Sequence, residues 1–148
     1  MATSAVREAS NRLAFLDRVY VATGLEVEPF DEAQLHRVTY LAIEPYLKRV
    51  PELASQPVVV CEIGGGSTEV LGIQQETIQY SRTYRMGSLR LRRTLEKFNA
   101  PAARFREIME REIDKTAHKI EHEVGAESQV PFVVMGGDVR LLASKLRP

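Results

Sequence analysis

The chain has 148 residues, 44% hydrophobic and 27% charged, enough for one globular core and expected to form a single domain. Lys plus Arg and Asp plus Glu both number 20, so the zero formal charge excludes a whole-molecule field suited to nucleic acid or an anionic membrane, and any anion preference must be local. The one cysteine, Cys61, forms no internal disulfide; no apolar run approaches the roughly 20 residues of a spanning helix, and Arg7 and Glu8 interrupt any signal-peptide core, so a cytoplasmic location is expected.

From Ala5 to Ala22 the apolar residues Val6, Ala9, Leu13, Leu16 and Tyr20 recur at helical spacing and Gly24 follows as a stop, which predicts a helix with one buried face. Leu25 to Phe30 alternates apolar and acidic residues like a short half-buried strand, and Asp31 with Gln34 reads as a capping box opening a second helix. Leu35, Val38, Leu41 and Ala42 are its expected apolar stripe. Pro45 is expected to end or kink it near Glu44, with Pro51 and Pro57 bracketing a loop. Val58 to Ile63 is a β-branched run suited to a central strand covered on both faces. Gly64 to Gly66 then turn the chain, and Glu69 to Ile73 and Thr77 to Tyr84 read as two strands joined through Gln74 to Glu76. Helix signals resume after Gly87, and Phe105, Ile108, Met109, Ile113, Ala117, Ile120 and Val124 form a long stripe stopped by Gly125. Pro131 to Met135 reads as another buried strand, followed by Gly136, Gly137 and a short apolar helix. Interleaved helices and strands around a meander give an α/β class with a mixed sheet and flanking helices.

The segment with the most readable chemistry is Glu62-Ile63-Gly64-Gly65-Gly66-Ser67-Thr68-Glu69, where a buried strand ends and a second begins. Its glycines let backbone N–H groups come close to phosphate oxygens, and Ser67 and Thr68 add hydroxyls. Glu62 and Glu69 are hard oxygen ligands of the kind Mg²⁺ takes, with substrate phosphates completing its shell. The loop lacks the Gly-Lys-Ser/Thr ending of a Walker loop and the spacing of a dinucleotide fold, and a glycine triplet also serves a plain tight turn. Gly136-Gly137 repeats the strand-then-glycine arrangement; by itself it is better explained as the end of a strand. Arg82, Arg85, Arg90, Arg92 and Arg93 form an acid-free cluster that suits a polyanion, although such clusters are more often solvated faces. His118-Lys119-Ile120-Glu121-His122 matches an inverted zinc-peptidase pattern, but both histidines fall away from the apolar stripe, and a metal site there is rejected.

Ala2-Thr3-Ser4-Ala5-Val6-Arg7-Glu8-Ala9-Ser10-Asn11, the Ile63 to Glu69 loop, Met86-Gly87-Ser88-Leu89-Arg90-Leu91 and Gly136-Gly137 occur in this order. Together they resemble the exopolyphosphatase and guanosine pentaphosphate phosphohydrolase (Ppx/GppA) family over nearly the whole chain. The resemblance implies part of a two-lobed actin-like (ribonuclease H-like) ATPase fold with its N-terminal lobe largely missing. On that reading 1–30 is a remnant of the first lobe, whose Asp-Gly-Ser phosphate loop has no counterpart here, and 31–148 is most of the second. It implies a Mg²⁺-dependent phosphoanhydride hydrolase that removes terminal phosphate from polyphosphate or guanosine pentaphosphate, and a homodimer such as the family often forms.

Carried over by position, the resemblance makes Arg7, Gly64, Gly65, Gly66, Ser67, Thr68, Gly136 and Gly137 phosphate-binding, and Glu62 and Glu69 metal-binding. It also places Leu35 where the family has the glutamate that activates the attacking water. Glu62 stands where the family has Asp, and Asp138 where it usually has Thr. A leucine accepts no proton, so the chain is expected to be a weak or inactive hydrolase, or else a catalytically degenerate module that binds phosphate compounds.

Overall fold

The computed structural model describes residues 2, 4–124 and 130–146. It divides into two compact units, Met1–Thr39 and Tyr40–Pro148.

In the first unit the expected single helix is two, α1 (Ser4–Arg7) and α2 (Arg12–Thr23). Gly24 caps α2 with its N–H on the Tyr20 carbonyl at 2.7 Å. The predicted buried face does not form: Leu13 is 74% and Tyr20 58% exposed. Residues 25–30 make no strand either. A single parallel bridge pairs Ala2 with Pro29, held by Ala2 N–H to Glu28 O and Phe30 N–H to Ala2 O, both at 3.0 Å. The capping box is as read. Asp31 N–H donates to Gln34 Oε1 at 2.9 Å and Gln34 N–H to Asp31 Oδ1 at 2.7 Å, opening α3 (Glu32–Arg49).

The buried positions of α3 are His36, Thr39, Ile43 and Leu47, not the predicted stripe; Val38, Leu41 and Ala42 are exposed and Leu35 is half-buried. Polar His36 and Thr39 disguise a face whose 3-4-4 spacing is otherwise helical. The helix also runs through Pro45 to Arg49. The missing N–H deprives the carbonyl of Leu41 of its partner, and because Leu41 and Pro45 are both exposed, water can take that place. Beyond it, α4 (Pro51–Ala54) occupies part of the expected loop.

The second unit is built on a four-stranded sheet in the order β3-β2-β1-β4. Its strands are β1 (Val58–Ile63), β2 (Thr68–Gln74), β3 (Thr77–Tyr84) and β4 (Phe132–Met135). The first three form the predicted meander, and β4 runs parallel to β1. Gln75 and Glu76 carry φ of 50° and 57°, the backbone that a two-residue hairpin turn with native twist requires.

Alternation along β1 splits the core in two. Val58 and Val60 pack with Leu71, Ile73, Ile43 and Leu47 on the α3 side. Val59 and Cys61 pack with Val70, Tyr84 and Ile120 on the other, against α6 (Phe105–Val124). The remaining helices are α5 (Ser88–Lys97) and α7 (Gly137–Leu146), with a 3-10 turn at Ala102–Arg104. Gly125, expected to stop α6, lies outside the described residues. The strand expected to be buried at Pro131 to Met135 is partly open: Phe132 is 54% and Val134 48% exposed. No helix among the described residues is long and apolar enough to cross a membrane.

Candidate functional site

β1 and β2 are joined by Gly64–Ser67, and the register places Glu62 directly opposite Glu69. Directly opposed residues on antiparallel strands share a face, so both carboxylates lie on one side of the sheet at the mouth of the glycine turn. Glu69 is 3% exposed and accepts a hydrogen bond from the Ser67 hydroxyl at 2.7 Å. Thr68, on the opposite face, donates its hydroxyl to the Met86 carbonyl at 2.9 Å. Both hydroxyl hydrogens that the sequence offered to a ligand are therefore engaged within the fold. The turn itself is closed by Gly64 N–H on Ser67 O at 2.9 Å.

The second family segment, Met86 to Leu91, packs on this turn. A Cβ on Gly87 would lie 2.5 Å from the carbonyl oxygens of both Gly64 and Gly65, so the approach admits no side chain. Gly87 then stands at the N-cap of α5, where no side chain caps the helix. The first N–H groups of a helix lack partners within it. Here the turn supplies one: Arg90 N–H donates to Gly65 O at 2.9 Å, and the Arg90 guanidinium donates through Nε to Gly66 O. Because C=O and N–H point in opposite directions across a trans peptide, fixing these carbonyls toward α5 turns the Gly66 and Ser67 N–H groups away from it.

Gly136, at the end of β4, completes the cluster. Its φ is +128°, and a Cβ on it would sit 2.1 Å from Ile63 O. Gly137 begins α7, and a Cβ added there would meet nothing within 4 Å; Asp138 is exposed in the first turn of that helix. Thus Glu62, the Gly64–Thr68 turn, Glu69 and Gly136 form one continuous region of the second unit. Arg7 and Leu35 belong to the first unit. Arg7 donates to Phe30 O at 2.9 Å. Nearby His36 is held neutral to lower pH than an ordinary histidine by burial, with the Arg7 charge adding to the effect and Glu32 opposing it.

The arginine cluster is divided among different tasks. Arg82 pairs with Glu123, Arg92 with Glu96 at 2.8 Å, and Arg90 binds the turn. Glu123 also accepts from Tyr80 and Tyr84, and these bonds, with Tyr84 foremost, hold its carboxyl below the usual range. His118 and His122 are exposed, and His118 Nδ1 lies 2.7 Å from its own helix's Asp114 O. Among the described residues no three His, Cys, Asp or Glu side chains are grouped to hold a metal. A cavity of about 480 Å³ lies on the α6 face. Its lining includes Val59, Cys61, Ile120 and Val134; it is apolar and offers little to an anion.

Comparison with known proteins agrees with this assembly of segments. A profile of the Ppx/GppA phosphatase family matches residues 1–143. The chain is 30% identical to the Aquifex aeolicus PPX-GPPA enzyme over 97% of its own length and 45% of that chain, with a TM-score of 0.61. It superposes on an exopolyphosphatase from Cytophaga hutchinsonii with a TM-score of 0.64 at 20% identity, over 99% of this chain and 47% of that one. No curated protein matches. The chain spans less than half the length of these solved relatives, and its mixed α/β architecture is that of the actin-like ATPase fold. The chain belongs to the Ppx/GppA phosphatase family.

Proposed function

We propose that this chain binds the terminal phosphates of inorganic polyphosphate or guanosine pentaphosphate at the Gly64–Thr68 turn and releases phosphate only slowly. The observation that carries the reading is the pairing of Glu62 with Glu69 at the mouth of a turn whose carbonyls are drawn toward α5. The turn's outward N–H groups hold phosphate oxygens, and the close approach of Gly87 and Gly136 keeps the backbone free of side chains there. The opposed carboxylates are a hard oxygen donor pair that fits Mg²⁺, which when bound neutralises phosphate charge. Ser67 orients Glu69 for that task. The chain works as part of a two-lobed domain, with 1–30 from the first lobe and 31–148 from the second.

Leu35 sets the rate. It stands at the family's general-base position, and loss of a positioned base lowers a rate by roughly 10² to 10⁴-fold. The same residue supports a second reading, a phosphate-binding or regulatory module without turnover. Phosphate release from polyphosphate and from guanosine pentaphosphate with Mg²⁺ separates the two. Slow release by the native chain, faster in Leu35→Glu and lost in Glu69→Gln, is the expected result. Binding without release in either form favours the second reading, and rapid native release unaffected by Glu69→Gln contradicts both.

A further inference from the structure

The two links between Arg90 and the glycine turn differ in kind. The backbone N–H of Arg90 on Gly65 O is available to any residue at that position of α5. The guanidinium on Gly66 O is specific to the side chain. A peptide flanked by glycine has little steric reason to keep one orientation, so the Gly66–Ser67 peptide needs an external hold. A planar guanidinium supplies it with fixed donor directions. Its charge also polarises the bonded carbonyl and so strengthens the N–H at the far end of the same peptide.

We propose that Arg90 is a positioning residue for phosphate: by holding Gly66 O, its guanidinium sets the direction of the Ser67 N–H that faces the ligand. The inference rests on the phosphate-binding reading above. It assigns Arg90 a role distinct from long-range attraction of a polyanion, which its neighbour Arg92 would serve equally well from its surface pair with Glu96.

The test uses amide NMR spectra of the 148-residue chain, titrated with inorganic tripolyphosphate and Mg²⁺, for the native protein, Arg90→Ala, Arg90→Lys and Arg92→Ala. In the ligand-free proteins the Gly66 and Ser67 amides shift in Arg90→Ala and stay in place in Arg92→Ala. Affinity for tripolyphosphate falls roughly tenfold in Arg90→Ala, the loss expected of one charge-assisted hydrogen bond. That loss persists at high salt, where a purely long-range attraction is screened, and Arg90→Lys recovers part of it. Should Arg90→Ala fail to fold, Arg90→Lys shows the same amide displacement in smaller measure. Unmoved Gly66 and Ser67 amides in the ligand-free Arg90 variants overturn the positioning role, as does an equal loss of affinity in Arg92→Ala. A native chain whose 64–68 amides ignore tripolyphosphate overturns the phosphate reading itself and the inference with it.

Discussion

Gly136 and Ile63 approach so closely that a Cβ on Gly136 would lie 2.1 Å from the Ile63 carbonyl oxygen, at a φ of +128°. The contact joins the C-terminal ends of the parallel strands β1 and β4, where the glycine turn begins. Gly136→Ala combines a steric clash with a backbone conformation that L residues resist, and is expected to cost about 2 kcal/mol or more. Gly137→Ala meets nothing within 4 Å and is expected to change stability by less than about 0.5 kcal/mol, since it touches no such feature. Urea unfolding of the two variants checks the contrast.

Ser67 and Glu69 give a second prediction. The hydroxyl donates to a buried carboxylate at 2.7 Å, and hydrogen bonds to charged groups contribute about 1.5–3 kcal/mol. Ser67→Ala is expected to lower stability by an amount in that range, and Ser67→Thr by less. The comparison is read from chemical unfolding at neutral pH.

Cys61 determines a response to alkali. Burial, reinforced by the charge of Glu69, pushes its thiol from 9.0 up to about 11. Between these values the unfolded chain has released the proton and the folded chain retains it, so stability falls as pH rises. Tyr80 and Tyr84 are raised as well, chiefly by burial, and extend the decline. Cys61→Ala is expected to flatten the part between pH 9 and 11. In the native fold the protonated thiol reacts slowly with disulfide reagents near pH 8, a rate that absorbance follows directly.

The acid limb has a different source. Burial lowers His36 from its ordinary 6.5, so below that pH the unfolded chain binds a proton that the folded one refuses. Stability is then expected to fall as pH drops through 6.5 toward the folded value. His36→Gln removes this limb, leaving the decline that protonation of Glu123 produces at lower pH.

The meander was legible in the sequence because a β-branched run, a glycine turn and alternating strands all agree there. With Gly64–Ser67 as the connection, even the opposition of Glu62 and Glu69 follows from counting outward along both strands. The buried face of α3 was not legible, since it carries His36 and Thr39 at positions where an amphipathic helix ordinarily has apolar residues. β4 reads as buried because Phe132 and Val134 are apolar, yet both are about half exposed; composition cannot tell an edge from a centre. Arg90 reads as one of five clustered arginines. Its attachment to the turn depends on the approach of α5 to a segment 24 residues earlier, although a helix opening at glycine without a side-chain cap hints that another segment supplies the acceptor.

The central claim is that phosphate and a divalent cation meet at the Glu62–Glu69 pair, and paramagnetic Mn²⁺ in place of Mg²⁺ locates that meeting directly. With tripolyphosphate present, Mn²⁺ is predicted to broaden amide signals at Glu62 and from Gly66 to Val70, and to lose this effect in Glu62→Gln. Broadening centred elsewhere in the chain, or undiminished in Glu62→Gln, would contradict the account.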